Sequence, residues 1–283
     1  MFNVEALKHL EQSAVLDRLT NEFNTAEISR PAIVLPDGFS IHNIQHLFPH
    51  KQRQVGAMTT DALDSFVQFC GNTKGNKPTC FIDGDAMKAK VIFDYGDAVE
   101  PGHCDLSASL SLKPTAEYQS MLAIAGGQVS PLLTQQQVAY ALEDLSHLIT
   151  PVDSEGMSFP LSQAINAIRN VTIEAKGSAN YQQTDQRAER SSLETIEAKA
   201  KNALSGLMPA FLNFNMMPYI GLVTREFRAR VVIHLQKEAE PKFSLKLVAH
   251  ELAKQDMAAE FVDLLKIKLA GSIGAVYVGQ FKP

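Results

Sequence analysis

The chain contains no tryptophan, and aromatic residues of all kinds make up only 7% of it. Three cysteines in 283 residues are far from the density of a disulfide scaffold, and an odd number cannot pair completely. Reduced thiols in a cytoplasm are the expectation. No run of about 18 apolar residues occurs, so no membrane-spanning helix and no membrane partner are expected. The stretch Met1-Phe2-Asn3-Val4-Glu5 is not a basic start followed by an apolar core, so no signal peptide is expected. Cations are not in excess: 26 Lys and Arg against 31 Asp and Glu give a net charge of −5. That excludes a polybasic coat and leaves room for a local basic site. Glycine (16) and proline (13) are too few for a collagen-like or Pro/Gly-rich disordered chain. No internal repeat is found, which excludes solenoids and propellers.

What is present is a globular composition, 45% hydrophobic and 20% charged, with two alternating periods. Apolar residues at helical spacing predict helices over residues 4–23, 60–70, 115–124, 134–148, 161–168, 186–204 and 251–270. Period-two alternation predicts a hairpin of residues 79–82 and 86–95 around Asp83-Gly84-Asp85. Leu106, Ala108, Leu110 and Leu112 alternate with Ser107, Ser109 and Ser111, the cleanest strand pattern in the chain. Further extended segments are expected at residues 31–36, 170–181, 211–217, 225–235, 243–249 and 275–281. Strands and helices come in runs, without strict βαβ alternation. The fold class expected is therefore α+β, with antiparallel sheets packed against helices and a C-terminal β-β-α-β unit. In that unit Leu252, Ala259, Val262, Leu265 and Leu269 are the expected inward face of the helix. Two regions, 1–150 and 151–283, or one continuous domain, fit the Pro/Gly-rich stretches around residues 126–131 and 151–160.

Several residue groups have chemical potential. His42, His46 and His50 are spaced for one helical face, but Pro49 breaks the helix, and no zinc-protease carboxylate follows. Gly102-His103-Cys104-Asp105 brings a thiol and an imidazole together in sequence, while extended chain points them apart. Asp83, Asp85 and Asp94 crowd one hairpin without the spacing of a calcium loop and read as turn residues. No metal site and no cofactor are expected; the Gly271–Gly279 glycines have no following helix to receive a pyrophosphate. Asp153, with Glu174 and Lys176 on an extended arm, resembles the acidic-x-Lys pattern of metal-dependent nucleases. Arg228 and Arg230 fall on the outward face of one strand, Lys242 and Lys246 on that of its predicted partner. Closing that hairpin puts four cations on one surface, which either is plain solvated sheet or meets phosphates, nucleic acid or an acidic partner.

Some segments carry a family likeness. Pro31-Ala-Ile-Val-Leu-Pro-Asp-Gly38, Pro101-Gly-His-Cys-Asp-Leu-Ser-Ala-Ser-Leu-Ser-Leu-Lys113 and Pro218-Tyr-Ile-Gly221 resemble the YfdQ-like family of phage and prophage proteins. So do Ala258-Ala-Glu-Phe-Val-Asp-Leu-Leu265 and Gly274-Ala-Val-Tyr-Val-Gly-Gln-Phe281, and the likeness runs over almost the whole chain. That family has no known activity. The resemblance implies a mobile-element origin and a host cytoplasm, and it carries over no catalytic residues. The expectation is a non-enzymatic, self-assembling phage or prophage accessory protein, a homo-oligomer whose arm at 170–181 reaches a neighbour. The alternatives are a metal-dependent nuclease using Asp153, Glu174 and Lys176, and a nucleic-acid-binding protein using the four cations.

Overall fold

A computed structural model describes residues 53–126, 130–171, 208–234 and 241–281, with isolated positions before residue 53. The chain divides into two compact units, Met1–Gln54 and Val55–Pro283. In the first, Glu11, Ser13 and Ala14 are helical and exposed and His50 is exposed. The rest of the helix expected over 4–23, the segment 31–36, and His42 and His46 lie outside the described residues. All that follows concerns the second unit.

Its first sheet has the order β1-β4-β3-β2-β10. β2 (Thr79–Asp83) and β3 (Lys88–Ile92) form the expected hairpin, and β4 (Leu106–Ser111) extends it antiparallel. The turn is fastened by the Ala86 N–H donating to Asp83 Oδ1 at 3.1 Å. Alternation sorts the side chains as its period demands: Ala89 and Val91 on β3, and Ala108 and Leu110 on β4, are buried. β1 (Gly56–Thr60) runs parallel to β4 and was not anticipated. Its Gly-Ala-Met-Thr-Thr sequence lacks an apolar alternation, and pairing at the sheet edge does not require one. Helix α1 (Leu63–Asn72) follows it and buries Leu63, Phe66 and Cys70. The segment 93–105 folds back tightly on itself. A Cβ on Gly102 would lie 1.7 Å from the Asp94 carbonyl oxygen, so only glycine fits that crossing.

The second sheet is antiparallel throughout, in the order β5-β9-β8-β7-β6. β8 (Arg225–His234) pairs on one side with β7 (Phe211–Met216) and on the other with β9 (Lys242–Leu247). Two short strands complete it: β5 (Leu133–Thr134) and β6 (Ile149–Val152). The helix expected over 134–148 ends early, and residues 145–148 are turns that lead into β6. That helix, α3 (Gln135–Asp144), starts at a capping box in which Thr134 and Gln137 satisfy each other's backbone, and it stops five residues short of Ile149. Pro151 is compatible with β6 because β6 is an edge strand. Helices α2 (Ala116–Ala125), α3 and α4 (Leu161–Arg169) cover the inner face. The halves 1–150 and 151–283 entertained above share this sheet.

The C-terminal unit needs correction. β8, β9, helix α5 (His250–Lys268) and β10 (Ala275–Val278) follow in the expected order, but β10 leaves the sheet of β8 and β9 and pairs parallel with β2. The reason is a matter of vacancies. The open side of β9 is already taken by β5, whereas the edge of β2 is free, and α5 packs against β2 on the way. The face of α5 also shifts. Val262, Leu265 and Leu269 are buried as expected, joined by Met257 and Phe261, while Leu252 is 59% exposed and Ala259 is exposed. The two layers share one contiguous core, in which Phe66, Ile82, Leu110, Leu142, Phe214, Phe243 and Phe261 are fully buried. Among the described residues no helix is long and apolar enough to cross a membrane.

Candidate nucleic-acid interface

The outer face of the second sheet collects the cations. Antiparallel register sets Arg230 directly opposite Lys246 and His234 opposite Lys242, with Val232 and Ser244 between the two pairs. All four cations singled out above, Arg228, Arg230, Lys242 and Lys246, are exposed. On the other flank of β8, Phe211 stands opposite Arg230 and Asn213 opposite Arg228. The Arg228 guanidinium lies 3.9 Å from the centre of the Phe211 ring and that of Arg230 lies 5.7 Å away. An arginine held over a ring can keep N–H groups free for an anion. His234 Nε2 and Ser244 Oγ are 2.8 Å apart. The strand rise spreads this ladder over roughly 20 Å from Arg228 to His234. Like charges at facing positions repel unless something negative answers them. Among the described residues no carboxylate forms an ion pair with any of the four. Glu226 shares the face two residues from Arg228, where it stands opposite Asn215.

The other singled-out groups are placed differently. Asp153 Oδ1 accepts the backbone N–H of Glu155 at 2.9 Å and of Met157 at 2.8 Å, so its carboxylate fastens a tight loop. Glu174 and Lys176, and with them the arm at 170–181 beyond Val171 and the helix at 186–204, lie outside the described residues. Cys104 is not in a strand: its φ is +58°, and its thiol donates weakly to the Gly102 carbonyl at 3.9 Å. Burial, followed by the charges of Asp94 and Asp105, pushes that thiol's pKa up, which disfavours the thiolate a nucleophile needs. Asp94 accepts the N–H groups of Asp105 and Leu106 at 3.0 and 3.1 Å, a fastening role like that of Asp83. Among the described residues no three His, Cys, Asp or Glu side chains gather as metal ligands.

One polar cluster escaped the sequence reading. Tyr118 Oη and His250 Nε2 are 3.1 Å apart in the core, across 132 residues of sequence. Tyr118 lines a cavity of about 470 Å³ together with Tyr219, Glu251, Lys254 and Gln255. Burial, then Lys254, lowers the His250 pKa below its usual range, against the pull of Glu251. Burial pushes the Tyr118 hydroxyl up to about 12. A neutral imidazole against a neutral phenol is a buried packing contact with one hydrogen bond. His250 Nδ1 has no hydrogen-bond partner among the described residues. Nearby, Arg225 and Glu260 form a half-buried ion pair, and Glu260 Oε1 also accepts the Val223 N–H at 2.6 Å. No local spacing announces these pairs, because each joins elements that are distant in sequence.

Neither a curated protein nor a solved structure matches this chain. One family model does, over residues 5–281, nearly the full length, and its description is "Uncharacterized conserved protein (DUF2303)". The two sheets and the cation ladder thus fall inside one matched span, and the chain belongs to the DUF2303 family.

Proposed function

We propose that this chain binds single-stranded nucleic acid on the outer face of its second sheet. The carrying observation is the ladder of four exposed cations beside an arginine-stacked phenylalanine, without carboxylate partners among the described residues. A broad sheet face does not enter a duplex groove, which admits a helix or a two-stranded ribbon. Unstacked bases can lie on the guanidinium of Arg228 that covers Phe211, while the N–H groups of Arg228, Arg230, Lys242 and Lys246 meet phosphates. Such binding is tolerant of sequence, because every base has a stacking face. Phage or prophage nucleic acid, the setting that the resemblance to the YfdQ-like proteins implies, is the ligand we propose. The test is a titration of a fluorescent single-stranded oligonucleotide at several salt concentrations. Four phosphate contacts predict a log–log salt slope of about −3. Salt-independent binding, or a preference for duplex, would overturn the reading.

A second reading, self-assembly, is favoured by a different observation. β10 is an edge strand, and its Tyr277 and Val278 are 56% and 66% exposed. An exposed apolar edge is a template for another chain. Size-exclusion chromatography with light scattering decides it, with a strictly monomeric species at high concentration as the contrary result.

A further inference from the structure

The outer face of the first sheet carries a second, separate construction. One row of residues crosses all five strands in register: Tyr277 on β10, Phe81 on β2, Lys90 on β3, Ser109 on β4 and Thr59 on β1. The neighbouring row holds Asp83, Lys88 and Ser111. Beyond β10 the chain turns back and lays Phe281 on Phe81, centroids 4.8 Å apart and planes 16° from parallel. Tyr277 stacks on Phe81 from the other strand at 5.8 Å, and Tyr95 meets both phenylalanines edge-on. Phe81 and Phe281 thus wall an open groove of about 480 Å³, whose floor alternates lysine and serine. That is within the range of small-ligand sites.

The charges of this groove are unevenly answered. Asp83 faces Lys88 across the hairpin, and its carboxylate is engaged by the Gln280 amide at 2.5 Å and the Ala86 N–H. Lys90 lies between Phe81 and Ser109, and among the described residues neither lysine forms an ion pair. A ligand that suits the place therefore has a flat ring for the wall and an anion for the floor. Serine hydroxyls at 109 and 111 can donate to the same anion. We propose that this groove binds a nucleoside monophosphate, its base against the Phe81–Phe281 wall and its phosphate on Lys88 and Lys90.

The site is independent of the cation ladder, and its test keeps the two apart. Isothermal titration of the full chain with AMP is compared with adenosine and with inorganic phosphate. AMP should bind about tenfold more tightly than either part alone, because both wall and floor engage. Lys88→Gln with Lys90→Gln should weaken AMP about tenfold with the thermal midpoint preserved. Phe281→Ala should weaken it by a similar factor. Arg228→Gln with Arg230→Gln should leave AMP binding unchanged while weakening the oligonucleotide. AMP binding no tighter than inorganic phosphate, or lost with the arginines and kept without the lysines, overturns the proposal. In the second case the sheet-face reading of the other layer would still stand.

Discussion

The two sheets have the same strand number and the same inward apolar face, yet their outward faces are finished in opposite ways. The first sheet covers its polar side with its own aromatics: Phe81, Tyr95, Tyr277 and Phe281 pack on one another, and Asp83 is engaged by Gln280 and Ala86. The second leaves Arg228, Arg230, Lys242 and Lys246 exposed, with a single phenylalanine for company. Both sheets satisfy the demands of folding on their inner faces, and the difference lies entirely where folding asks for nothing. A face that folding does not explain is where function should be sought first.

The largest effects should come from the shared core. Leu110 in the first sheet and Leu212 in the second are both essentially unexposed, and truncating either to alanine should cost ~2–5 kcal/mol. Leu265, fully buried on α5, should behave alike. Because the core is contiguous, each variant should lower one shared thermal transition in calorimetry; separate transitions for the two layers would break the comparison at its root. Glu260→Gln should cost about 2 kcal/mol in chemical denaturation, since it leaves Arg225 half-buried without its counter-charge. A loss within experimental error would mean the pair is a surface ornament.

Next comes the exposed face. Arg228→Gln with Arg230→Gln should weaken oligonucleotide binding about tenfold and reduce the salt slope by about 1.4, with stability unchanged. An unchanged slope would take these arginines out of any phosphate contact. Acid and base limbs of stability follow from the buried pair. His250 has its pKa lowered in the folded chain from the usual 6.5, so the unfolded chain takes up the proton first. Its contribution is complete above pH 6.5 and is lost as the pH falls below it. Tyr118, raised from 10.0 to about 12, contributes fully below pH 10 and loses that contribution as the pH climbs toward 12. In His250→Gln the fall in thermal midpoint between about pH 7 and 5.5 should be shallower than in the unaltered chain. Parallel profiles would remove His250 from the acid limb.

The smallest effect is a local one. Burial pushes both Cys70 and Cys80, in the first layer, up to about 12. A thiol reagent at neutral pH should label Cys104 and spare these two until the first layer opens. Early labelling of Cys80 would show that this layer loosens before the other.

Much of this architecture was legible because alternation is a local property. The serine–leucine run of β4 and the Phe227, Ala229, Val231 series of β8 state their inward faces within a few residues. The cation ladder was legible for the same reason, since Arg228 and Arg230 share the outward parity and the hairpin partner follows at once. What stayed hidden was relational. Nothing local says that β5 would occupy the side of β9 and send β10 to the other sheet. β1 and β6 lack an apolar alternation because they sit at edges, one of them with a proline in it. Leu252 fits a helical stripe but lies near the start of α5, where His250 is the residue that turns inward.

The placement of β10 also bears on how the molecule comes to exist. β2, β3 and β4 can associate as soon as residue 111 has been synthesised, but the strand that closes the side of β2 is not made until residues 275–278. For the whole intervening stretch, including every strand of the second sheet, β2 presents an open backbone edge to the cell. Closing so long a loop is slow, because chain entropy is spent before the contact returns anything. An early chain is thus most vulnerable to mispairing at Thr79–Asp83, and the second sheet is complete before the first has its final neighbour.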